Sequence, residues 1–240
     1  VTLAVVVLAC IGAGVYALSG DDGPGGGTAS SSQAPGGRQP GDSEGSGGGG
    51  EEEGPSPDRS EPPKVESGSV TDGMSGISLP IPDGWYGQAL DVGASVTSED
   101  AYKCPGDTSK TCTKGGAYSA PAIALGAKGD TPEEVAKADI AKNAEESYGG
   151  KSYGSITSHD VLASRAVTVA GQKGYLVRWK AVTSKGADGY VQSLAFPSPT
   201  APENIVVVRF GVDVGESQSV IDEITEGIEV SSGGGSGQEV

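Results

Sequence analysis

The run Asn204–Val214 (NIVVVRFGVDV) constrains the fold more than any other stretch of the chain. Val206, Val208, Phe210, Val212 and Val214 fall on one side of an extended backbone, and Ile205, Val207, Arg209, Gly211 and Asp213 fall on the other. Successive side chains leave a strand on opposite faces, so period-two alternation of β-branched residues marks a strand lying on a core. One face apolar throughout and one mixed suits a central or near-central strand of an antiparallel sheet. In this register Arg209 points away from the core. Its loss is expected to be mild, whereas Val208 and Phe210 face inward.

The residues before this strand read as a meander. Ala166–Val169 is a strand, and Gly174–Thr183 is the next, with Tyr175, Val177, Trp179 and Ala181 on one face. Gly189–Phe196 returns before the loop Pro197–Pro202. Short turn-rich connections favour antiparallel neighbours. Earlier, Gly76–Pro82 predicts a short strand at an edge or ending early, because Pro80 and Pro82 cannot donate to a ladder. Asp83-Gly84 turns the chain into Trp85 and Tyr86. Trp85 is expected to close one end of the core, an exposed aromatic platform being the alternative. Ala117–Leu125 predicts another strand, broken at Pro121.

Two helices are expected. Thr131-Pro132-Glu133-Glu134 is a capping box with Pro at the first helical position. Val135, Ala136, Ile140, Ala144 and Tyr148 form the inward stripe, while Glu133, Lys137, Lys142 and Glu146 face solvent. Gly149-Gly150 stops the helix. The second, about Ser217–Ile228, presents Val220, Ile221, Ile224 and Ile228 on one stripe. The expected fold class is α+β: one antiparallel sheet of about five or six strands packed with two helices, over residues 72–230.

The rest of the chain is compositionally different. Gly accounts for 41 of 240 residues and aromatics for 5%, so the packed part is smaller than the whole. Residues 19–71 are Gly, Ser, Pro and acid without periodicity, and they predict a disordered linker. As flexible coil it would span roughly 40 Å. Gly41-Asp42-Ser43-Glu44-Gly45 fits G-x-S-x-G, and Gly45–Gly50 fits G-x-G-x-x-G. Neither follows a strand or opens a helix, as each mechanism requires. Residues 231–240 read as a disordered tail.

Val1–Leu18 (VTLAVVVLACIGAGVYAL) is uncharged and apolar nearly throughout. At about 1.5 Å per residue it spans about 27 Å, close to a bilayer's hydrocarbon thickness. A transmembrane helix is the expectation, with a longer N-terminal part before Val1. A cleaved signal peptide or a lipoprotein anchor at Cys10 is the alternative. Residues 19–63 hold only Arg38 and Arg59 as bases, which places this flank outside by the positive-inside rule. The expected location is the cell membrane, single-pass, with the C-terminal domain extracytoplasmic. The formal net charge of −16 repels phosphate, so no nucleic acid is expected as a partner.

Cys104 and Cys112 bracket a polar turn-rich segment, and outside the cell such a pair reads as a disulfide. His159 is the one histidine, and its neighbour Asp160 leaves a strand on the opposite side, so the two are not a ready dyad. No catalytic, cofactor-binding or metal-ligating residue is assigned, and no cofactor is expected.

The order of elements, opening on Ile77–Trp85 (ISLPIPDGW) and running through the mid-chain helix, the Val167–Phe210 meander and the closing helix, resembles the Mog1/PsbP-like α/β/α fold. LpqN-type actinobacterial lipoproteins are examples of it. The resemblance implies a binding or accessory module outside the cell and brings no catalytic residues with it. The expected function is therefore a membrane-tethered extracytoplasmic binding or sensor module without catalytic activity, its partner a cell-envelope ligand or protein. The contact surface is expected around Trp85, Tyr86 and the Cys104–Cys112 loop. A secreted hydrolase-type enzyme and a structural cell-envelope spacer are the alternatives.

Overall fold

The computed structural model describes residues 62–231. The apolar segment 1–18, most of the 19–71 linker and the tail from residue 232 lie outside the described residues. Ordered structure begins before residue 72. Val65 bridges Gly87, and β1 (Ser69–Asp72) pairs with β2 (Ile77–Pro80).

After β2 come β3 (Trp85–Ala89), β4 (Ala94–Ser98), the hairpin of β5 (Ala101–Cys104) and β6 (Asp107–Thr113), and β7 (Gly115–Pro121). Helices α1 (Pro132–Tyr148) and α2 (Gly150–Tyr153) follow. The chain continues through β8 (Ile156–Val169), β9 (Gln172–Thr183), β10 (Gly189–Pro197), β11 (Ile205–Asp213), α3 (Ser219–Glu226) and β12 (Glu229–Val230).

The main sheet is antiparallel and seven-stranded, in the order β3-β4-β7-β11-β10-β9-β8. The α+β class and the antiparallel meander are as expected, but the sheet exceeds five or six strands, and three helices stand among the described residues. The extra strands were hidden by their content. β4 (ASVTS) is buried along its whole length, yet its small polar side chains give no apolar alternation. β2 is also not an edge strand: it lies between β1 and β12 in a small three-stranded sheet and ends at Pro80. Ala166–Val169 is the end of a 14-residue strand at the sheet's outer edge.

β11 is central, flanked by β7 and β10. Val206, Val208, Phe210 and Val212 pack with Ile77, Leu79, Ile221, Ile224 and Ile228, so α3 and the small sheet cover this face. Val207 faces the other way, into a second core built by Val135, Ala136, Ile140 and Ala144 of α1. Both faces of β11 are thus covered. Thr131 caps α1 as the sequence predicts: its hydroxyl accepts from Glu134 N, and the Glu134 carboxylate accepts from Thr131 N, at 3.3 and 3.2 Å.

Candidate functional site

Arg209 leaves β11 on the α1 side, as its register requires, but it does not reach solvent. It is 2% exposed. A buried guanidinium survives only if its N–H groups are paired. Arg209 Nε donates to both Asp139 carboxylate oxygens at 3.1 and 2.9 Å, and Nη2 donates to Asp139 Oδ1. Nη1 donates to Tyr118 Oη at 2.9 Å and to Glu146 Oε2 at 2.5 Å. Ser193 Oγ donates to Asp139 Oδ2 at 2.7 Å, and Asn143 Nδ2 donates to the Gln192 carbonyl at 2.9 Å. Glu146, expected to face solvent, turns inward to this cluster. Burial works against the Arg209 charge, but the hydrogen bonds it donates to Asp139 and the charges of the nearby acids outweigh it and hold its pKa above the ordinary value. Burial first, and the Glu146 charge second, push the Tyr118 hydroxyl up to about 12 against the opposing pull of Arg209.

A cleft of about 290 Å³ opens beside this cluster. Its floor is made by missing side chains. Gly116 of β7 lies directly opposite Gly211 of β11, one pair along from Tyr118 and Arg209 on the same face. The C-terminal turn of α1 closes over one side, with Ser147 against Gly211. The β5–β6 hairpin and α2 form the other wall, pinned where Gly106 N donates to the Ser152 carbonyl at 2.7 Å. Cys104 and Cys112 sit side by side across the hairpin, Cα atoms 5.1 Å apart and sulfurs at bonding distance, and both line the cleft.

Beneath this wall Tyr148 Oη donates to Asp213 Oδ1 at 3.0 Å, and Tyr102 Oη donates to Tyr153 Oη at 3.2 Å. Burial raises the Asp213 pKa, and the Tyr102 and Tyr148 hydroxyls beside it only partly offset it. Burial also raises Tyr148 well above the ordinary phenol range, with the Asp213 charge adding to it.

The expected contact surface is divided. Trp85 is buried in the α3-side core, with its ring edge against Gly115. Tyr86 is buried too, under the Lys64 ammonium at 3.9 Å from the ring centroid. The aromatic-platform reading is therefore set aside, and of the expected surface the disulfide hairpin alone borders the cleft. His159 stands exposed on the edge strand, its ring stacked on Trp179 with centroids 3.8 Å apart. Among the described residues no cluster of three or more His, Cys, Asp or Glu is arranged to hold a metal ion. None of their helices is long and apolar enough to cross a membrane.

The fold and site together describe an antiparallel α+β domain with a cleft between its long helix and a disulfide hairpin. The chain resembles the Mog1/PsbP-like fold at low identity. Cyanobacterial PsbP from Synechocystis matches with 12% identity and a TM-score of 0.43, covering 70% of this chain and 94% of that one. The Ran-binding protein Mog1p of Saccharomyces cerevisiae matches with 11% identity and a TM-score of 0.41, covering 66% and 82%. No family profile and no curated protein sequence matches the chain.

Proposed function

We propose that this protein is a non-catalytic binding module that takes a small ligand in the cleft beneath the end of α1, and that Val1–Leu18 tethers it outside the cell. The observation that carries the binding reading is the paired glycines, Gly116 and Gly211, beside a buried, fully built polar cluster. Two facing glycines in the middle of a sheet weaken it, since they bury no side chain and cost chain entropy. Ser147 of α1 packs on Gly211, which gives that glycine a packing role, while Gly116, where a Cβ would meet only the Val96 carbonyl oxygen at 3.6 Å, leaves open backbone that another molecule could approach. The charged groups here hold one another: Arg209 grips Asp139 and Glu146, which suits positioning a ligand better than attacking one. The tether reading rests on the apolar, uncharged run and its base-poor flank.

The test is a thermal-unfolding screen of the protein against small metabolites, followed by recovery of each hit. Compounds that raise the midpoint should return chemically unchanged, and Gly116→Leu, which fills the cleft, should abolish the rise. Conversion of a bound compound would favour the enzyme reading. Stabilisation that persists in Gly116→Leu would move the site elsewhere.

A further inference from the structure

We propose that β8 is a self-association edge: two copies of this chain join their β8 strands antiparallel about a two-fold axis at Ala163, and the main sheet runs on from one copy into the other. No β8 residue lines the cleft, so this pairing leaves the cleft open. Three observations carry it.

The first is an open edge. An edge strand presents a row of unpaired N–H and C=O groups, which another strand can take up. One side of the main sheet is already covered: at β3, Val65 N donates to the Gly87 carbonyl at 2.9 Å and Gly87 N donates back at 2.7 Å. The other side is β8, 14 residues long, and among the described residues it pairs only with β9. Most of its side chains are exposed on both faces. Val161 and Leu162, adjacent and apolar, are 60% and 45% exposed.

The second is a bulge that aligns two charges. Along β9, Asp160 lies opposite Lys180, Val161 opposite Trp179, Ala163 opposite Arg178 and Arg165 opposite Leu176, so Leu162 is an extra residue. Five positions apart, Asp160 and Arg165 would fall on opposite faces of a regular strand. The bulge brings both to the α3 side, the side on which Leu176 packs and Arg178 reaches Asp222. Both are exposed, and neither forms an ion pair among the described residues.

The third is self-complementarity. With the bulge counted as one position, Ala163 stands midway between these two charges. A two-fold axis through Ala163, perpendicular to the sheet, keeps each face on its own side and sets Asp160 opposite the partner's Arg165, and Arg165 opposite the partner's Asp160. Opposite charges directly across a ladder stabilise it, and like charges destabilise it. Centring the pair on Asp160 or on Arg165 instead brings like charges together. The charges that guard this edge against other strands therefore select one register with a second copy. At the axis itself the small Ala163 side chain lets the strands meet.

The test uses the full 240-residue chain in detergent, with Cys10→Ala to remove the cysteine outside the disulfide. Facing Cα atoms in an antiparallel pair lie about 4.5–5.5 Å apart, within disulfide reach. Oxidation should therefore link two copies of an Ala163→Cys variant, while Ser158→Cys, which this register sets opposite the partner's Val167, should not self-link. Sedimentation over a dilution series should show a monomer–dimer equilibrium, weakened about tenfold by Asp160→Arg or by Arg165→Asp. The double variant Asp160→Arg, Arg165→Asp should restore it, because swapping the charges recreates both pairs. These side chains are exposed, so circular dichroism should show the fold unchanged. A chain that stays monomeric at every concentration would overturn the proposal. A dimer indifferent to both single reversals would put the contact elsewhere, in the apolar N-terminal segment for example, and overturn it equally. A double variant that fails to recover, or a Ser158→Cys that links as readily as Ala163→Cys, would overturn the register. Each of these outcomes leaves the cleft reading to its own thermal screen.

Discussion

Arg209 shows how far one residue's role depends on what covers it. Its position in the strand pattern is as the alternation predicts, facing away from Val208 and Phe210, and yet the expectation that its loss is mild does not survive. Removing one partner of a buried pair leaves an uncompensated charge, at a cost of about 3–5 kcal/mol. Arg209→Ala should therefore lower the unfolding free energy by about that much in urea titration, whereas the double change Arg209→Met, Asp139→Leu should recover most of it. Val208→Asp and Phe210→Asp should prevent folding, because each places an unpaired carboxylate where the native side chain is fully buried. Asp213 predicts a pH effect. Its folded pKa is raised by burial, so the folded state holds the proton more tightly than the unfolded chain does. Stability from this group is full below the ordinary carboxylate value, about 3.9, and is lost as pH rises through the raised folded value. Asp213→Asn, which keeps an oxygen for Tyr148, should flatten that decline, as urea midpoints measured from about pH 4 upward would show.

At the scale of an element, α1 does two jobs with one face. Val135, Ala136, Ile140 and Ala144 pack on the sheet, while Asp139 and Asn143, four residues apart between them, reach the polar groups of β10 and β11. Its start is set locally by the Thr131 capping box, so Thr131→Ala should cost about 1 kcal/mol, read as a lower urea midpoint. That loss should add to the Arg209→Ala loss, since the cap and the ion pair share no partner. The β5–β6 hairpin is the opposite case. It forms a separate two-stranded sheet, and such a unit is marginal alone. It stands because the Cys104–Cys112 link, the Gly106–Ser152 hydrogen bond and the Tyr102–Tyr153 pair hold it.

For the whole molecule, that hairpin joins stability to function. Closing so short a loop contributes about 2.5 kcal/mol in the chain-entropy picture. The paired substitution Cys104→Ala, Cys112→Ala should lower the unfolding midpoint by a comparable amount. It should also weaken cleft ligands, because it loosens one wall and adds an ordering cost to binding. Mass spectrometry of exported protein should show a two-dalton deficit, about 2 Da, that reduction removes. Two free thiols would undercut both the link and the extracytoplasmic location. Limited proteolysis should cut the Gly-rich flanks first and leave a core that includes β1.

Local chemistry was enough to read several parts of this protein from its residues alone. The β11 alternation, the α1 cap, the closing helix with its isoleucine stripe and the cysteine pair each announce themselves within about a dozen neighbouring positions, because hydrogen-bond periodicity and capping act over that range. The candidate site does not announce itself. Asp139 and Asn143 stand on the inner face of α1, and Arg209 interrupts a run of valines. Each looks like an isolated polar intrusion until the fold brings β11, β7 and α1 together across 70 residues of sequence between Asp139 and Arg209. Whether Arg209 meets water or a carboxylate is decided by which element covers its face of the sheet. Whether Gly116 and Gly211 are mere weak points or the floor of a cleft is decided by their meeting in register. Both are properties of long-range packing, and tertiary structure alone supplied them.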